Sequence, residues 1–77
     1  MDRAAELKRL NEADVHIAEA ERAVAEQMAQ VEALRVAGQD TAIAERELAA
    51  FQETLAVLRD YRAVIMKTIE QIDSGLA

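Results

Sequence analysis

An all-α fold, a two-helix antiparallel hairpin of coiled-coil type that dimerises into a four-helix bundle, is predicted by three features of the sequence. The first is composition: proline is absent, glycine occurs only at positions 38 and 75, and alanine, glutamate, leucine and arginine dominate, as they do in long helices. The second is a run in which Ala44, Leu48, Phe51, Leu55, Leu58, Arg62, Ile65, Ile69, Ile72 and Leu76 follow one another at alternating steps of four and three. That spacing is a coiled-coil seam, broken in its apolar character only by Arg62. The third is a second apolar column, Ile43, Ala50, Val57 and Val64, about 100° further round the same helix. One partner helix cannot cover both columns.

The first helix is expected over about 2–37. Asp2 supplies a side chain that can cap its free N–H groups, and Gly38 supplies the left-handed position that commonly ends a helix. Arg3 and Glu6 stand where the apolar seam should continue, and Asn11 competes for its own backbone, so fraying is expected before about Leu10. From there the seam reads Leu10, Ala13, Ile17, Ala20, Val24, Gln27, Val31, Leu34, with small residues between large ones that let a neighbouring helix approach closely. Glu6 and Arg9, Glu19 and Arg22, and Glu32 and Arg35 are spaced for ion pairs on a solvated face.

Gly38-Gln39-Asp40-Thr41 is the interior turn signal. A turn over 38–40, with Asp40 or Thr41 capping a second helix over about 41–74, makes the two helices antiparallel neighbours. Each arm is then on the order of 50 Å long at the helical rise. The two seams interlock when Leu34 is set opposite Ala44, Val31 opposite Leu48, Gln27 opposite Phe51, Val24 opposite Leu55, Ala20 opposite Leu58, Ile17 opposite Arg62, Ala13 opposite Ile65 and Leu10 opposite Ile69. Large residues then face small ones at several layers, as interdigitated cores require. Ile43, Ala50, Val57, Tyr61 and Val64, with Thr54 beside them, remain as a face too apolar for a solvated monomer. It is the expected dimer surface, and two hairpins joined there by a two-fold axis form the four-helix bundle.

Residues 1–77 make one domain, of a size at which a single core rarely supplies more than about 3–5 kcal/mol without a staple. The chain has no cysteine, so disulfides and thiolate metal sites are excluded, and oligomerisation is the staple left. A formal charge of −6 with scattered basic residues argues against nucleic acid or an anionic membrane surface as partner. No apolar stretch is long enough to span a bilayer, and the amino-terminal residues do not lead into a secretory h-region. A soluble cytoplasmic protein is expected.

Site chemistry is sparse. Arg62 interrupts the strongest seam opposite Ile17, with Asp14 and Glu21 one turn to either side, so a polar cluster of Arg62, Asp14 and Glu21 is expected to fix register. His16 is the single histidine; Glu12 and Glu19 lie on neighbouring surface, and pairing with Glu12 is expected. No serine, cysteine or histidine arrangement suits nucleophilic catalysis, and Gly38 stands outside any phosphate-binding loop. Glu45, Glu47, Glu53, Asp60 and Glu70 are spread as a solvated face without a convergent pair. Phe51 is expected in the core and Tyr61 as an interface anchor. The expectation is therefore a non-enzymatic interaction or scaffold module without a cofactor, acting as a homodimer, with another protein as a further candidate partner. The alternative is a ligand- or metal-binding bundle using Arg62 with Asp14 and Glu21, or His16 with Glu12 and Glu19.

His16-Ile17, then Gln27 and Leu34, the turn Gly38-Gln39-Asp40-Thr41, Ala44, Leu48 and Phe51, and finally Arg62 with Ile65 together resemble a set of small bacterial helical-hairpin proteins of unknown function. The likeness covers most of the chain and implies a hairpin fold with no known activity. Those proteins often carry further histidines where this chain has Val24 and Leu58.

Overall fold

The computed structural model describes residues 2–75. Met1, Leu76 and Ala77 lie outside the described residues, and with them the last position of the expected seam. Among the described residues the chain forms two helices and no strand: α1, Arg3–Val36, and α2, Ala42–Asp73. They pack against each other as an antiparallel hairpin measuring 58 × 15 × 13 Å, a rod two helices across and one deep.

The ends of both helices follow from local chemistry. Asp2 is extended, and its carboxylate accepts from the Ala4 N–H at 3.0 Å, satisfying one of the orphan donors of the first turn. At the other end Gly38 adopts φ +71°. Its N–H donates to the Arg35 carbonyl at 3.0 Å, and the Gln39 N–H reaches back to the Leu34 carbonyl at 2.9 Å. These are the two bonds of a Schellman motif, whose left-handed position glycine fills without steric cost. Of the two candidate caps for α2, Asp40 makes the bond: its Oδ1 accepts from Ala42 N–H at 2.9 Å, while the Thr41 side chain makes no cap bond.

The first turns, where the sequence pattern suggests fraying before Leu10, are helical from Arg3 onward. Leu7 and Leu10 pack on the buried cluster of Ala13, Ile65 and Ile69. Arg3 Nε also donates to Asp73 Oδ1 at 2.7 Å, so the open end of the hairpin is tied where the apolar seam runs out.

The buried core is thin. Among the described residues Ala13, Val31, Ala44, Leu55, Ile65 and Ile69 are buried, and all six occupy seam positions. The rest of the seam is only partly covered, because each helix has a single neighbour. Phe51 is a correction to the expected core: it is 38% exposed. Gln27, expected opposite it, instead turns its amide to the Ala44 carbonyl at 2.9 Å and to Glu47 Oε2 at 3.3 Å. A half-buried amide needs acceptors that a phenyl ring does not offer, and the ring is left at the edge of the interface.

Candidate functional site

Two helices packed along one seam leave two flanks where their surfaces diverge, and the helical period assigns residues to each. One flank is spanned by ion pairs. Arg62 Nε meets Asp14 Oδ1 at 2.6 Å, Arg59 meets Glu21 at 3.4 Å, and Arg35 reaches Glu45 at 3.4 Å while also holding Glu32 on its own helix at 2.7 Å. The expected triad is thereby corrected: Arg62 pairs with Asp14 alone, and Glu21 belongs to Arg59. In a register that sets Ala13 against Ile65, Arg59 stands nearer Glu21 along the axis than Arg62 does.

Nor is this pair enclosed in the core. The Arg62 and Asp14 side chains are 41% and 49% exposed, so the arginine leaves the seam and extends its guanidinium to water. Exposed pairs of this kind contribute about 0–1 kcal/mol each. At the open end of the rod, the hydrogen bond from Arg3 to Asp73, and then the attraction of that carboxylate, raise the Arg3 guanidinium above its ordinary pKa. It stays charged throughout the usable pH range.

The opposite flank is open and apolar. His16, Glu19, Ala20 and Ala23 of α1 and Phe51, Thr54 and Leu58 of α2 line a groove of about 320 Å³. It runs through Thr54 and Leu58 into a second hollow edged by Ala50, Glu53 and Val57. Ala20 and Ala23 make the α1 side of this groove small. The five residues expected to form the interface all lie on this side or at its rim, and none is buried: Ile43 is 68% exposed, Val57 66%, Val64 63% and Tyr61 48%, with Ala50 exposed as well. The threonines among them are masked, since Thr54 Oγ1 donates to the Ala50 carbonyl at 3.1 Å and Thr68 Oγ1 to the Val64 carbonyl at 3.0 Å. With their hydroxyls turned back onto their own helix, they present methyl groups.

His16 sits at the wall of this groove beside Glu19, and no hydrogen bond or ion pair joins it to Glu12. Among the described residues, no three His, Cys, Asp or Glu side chains gather in a way that could hold a metal ion. Of the three expected pairs along α1, Glu6 with Arg9 and Glu32 with Arg35 form; Glu19 borders the groove instead. The cross-helix partners Arg59 with Glu21 and Arg35 with Glu45 were missed in the sequence. The interlocked seams carried their signal, because each pair flanks the seam at nearly the same level of the hairpin.

No protein-family model matches the chain, and comparison with curated proteins and with solved structures finds no match. Among the described residues, no helix is long and apolar enough to cross a membrane.

Proposed function

We propose that this chain is a non-enzymatic protein–protein interaction module that works as a homodimer, two hairpins joining through the open flank into a four-helix bundle. The observation that carries this is the column of Ile43, Ala50, Val57, Tyr61 and Val64, which stays exposed after the hairpin has closed. A monomer rarely leaves so continuous an apolar strip in water, because every apolar square ångström removed from water contributes about 25 cal/mol. The thin core of the single hairpin points the same way: six buried residues among those described, two of them alanine, leave stability to be supplied by association.

In this role the joined α2 helices form the structural centre, and the outer helical faces are free to dock another protein. Sedimentation equilibrium at micromolar concentration tests it. A dimer is expected; a stable, fully helical monomer at that concentration overturns the proposal. Titration calorimetry with zinc, and separately with inorganic phosphate, addresses the ligand-binding alternative, and no saturable heat is expected from either.

A further inference from the structure

We infer that the chain has a second closed form, in which two copies straighten at the turn and each lays its α1 on the other's α2, and that Gly38 decides between this swapped pair and the hairpin. The surface concerned is the interhelical seam itself, so the inference stands apart from any joining through the open flank.

The break between the helices rests on one residue. From Val36 to Ala42 there is no proline and one glycine, and Gly38 holds the left-handed position there at φ +71°. A Cβ built on Gly38 meets no atom within 4 Å, so no packing around the turn opposes a side chain; only the left-handed backbone does. A residue with a Cβ relieves that strain by taking helical φ, and the chain then runs on from α1 into α2. The two bonds onto the Arg35 and Leu34 carbonyls and the Asp40 cap on Ala42 give way to ordinary helical bonds, which satisfy the same donors.

The seam survives the straightening. Through the turn it reads Leu34, Gly38, Thr41, Ala44 and Leu48, at steps of four, three, three and four. One step of three stands where the alternation calls for four, a stammer that coiled coils absorb by local overwinding. Both arms therefore keep their apolar seams toward the same side of one long helix. The contacts that close the hairpin join positions that mirror each other about the turn: Ala13 with Ile65, Glu21 with Arg59, Asp14 with Arg62 and Arg3 with Asp73. A second copy running antiparallel offers each of them again, in the direction and register that the hairpin already has. Exchange of an identical element between copies is a low-cost route to a pair for this reason. In the native chain Gly38 fills its position without strain, and one arm holds the other at a local concentration of millimolar order, so the hairpin forms.

Gly38→Ala tests this in a chain that also carries Val57→Glu, so that joining through the open flank is blocked. Alanine is strained in the left-handed position and outdoes glycine within a helix, so the concentration at which the pair forms should fall by roughly a thousandfold or more. At micromolar concentration this double variant is expected to sediment as two chains. Small-angle scattering should show a rod of roughly 105 Å, the length of residues 3–73 as one helix. Gly38→Asn with Val57→Glu keeps a residue that tolerates the left-handed turn and should remain one chain 58 Å long. A Gly38→Ala double variant that stays a single short rod overturns the inference, and pairing in both double variants overturns the role of the left-handed turn. If the first double variant is not helical by circular dichroism, Gly38→Ala alone decides: a rod of doubled length supports the second form, and the hairpin's length, or loss of helix there too, overturns it. None of these outcomes depends on whether the native chain is a dimer.

Discussion

The two flanks of this hairpin are made from the same two helices, yet one is bridged by arginine–carboxylate pairs and the other is lined by alanine, valine and phenylalanine. The difference shows where the hairpin's own packing ends. Ion pairs such as Arg62 with Asp14 let long side chains lie over the seam edge while their heads stay wet, and the apolar hollow that remains on that flank, edged by Met28, Ala29, Val31 and Leu48, lies beside Arg35 near the turn. The alanine-lined groove has no long side chain to close over it. Its exposed column on α2 is left for another surface.

The sharpest way to break this comparison is to place the same charge on each flank. Val57→Glu puts an unpaired carboxylate into the proposed dimer interface, at an expected cost of at least about 3 kcal/mol per copy, or more than a hundredfold in the dissociation constant. Arg59→Glu puts it on the ion-paired flank, where it loses one exposed pair with Glu21 and costs about 1 kcal/mol. Sedimentation should show monomer for the first and dimer for the second. Equal loss of dimer in both would mean that the flanks are not distinct.

A second substitution probes the seam that both flanks share. Ile65 is 2% exposed and packs with Ala13 and Ile69. Ile65→Ala removes buried methylene groups from a small cluster with little to collapse into the space. A loss of about 2–4 kcal/mol is expected in urea unfolding, with the dimer still assembling where the chain remains folded. A loss under about 1 kcal/mol would show that the interhelical seam contributes little and that most of the stability comes from the second copy.

Much of this fold was legible in the residues because hairpin and caps depend on local chemistry. Gly38 and Asp40 act within a few residues of themselves, and the seams of α1 and α2 interlock on spacing alone. Phe51, Gln27 and Glu21 were less legible for a common reason. Each lies at the edge of the interface, where register to within a residue decides which neighbour a side chain reaches. Gln27 finds two acceptors on α2 that no periodicity reveals, and Phe51 stays at the edge of the interface. Glu21 had two arginines within about a turn and a half of the level it occupies, and only the packed structure chooses Arg59. The initial turns depend on both influences. Arg3 and Glu6 break the apolar pattern, but the cap at Asp2, the tie from Arg3 to Asp73 and the packing of Leu7 offset that break.

The smallest expected effect concerns Arg62, and it bears on whether the ion-paired flank is structural at all. Arg62→Leu removes the bond to Asp14 and replaces it with an apolar seam residue opposite Ile17. Asp14 is half exposed, so it returns to water without leaving a buried charge behind, and the change should lie within about 1 kcal/mol of wild type with either sign. Thermal unfolding at low and high salt then separates the contributions. If the arginine acts only through its charge, the leucine variant should lose the part of the salt dependence that the pair supplies, and its stability should match or exceed that of wild type. If the melting temperature falls by ten degrees or more, the arginine's aliphatic stem must instead be packing the seam, and the flank would be held together by burial as the opposite one is proposed to be.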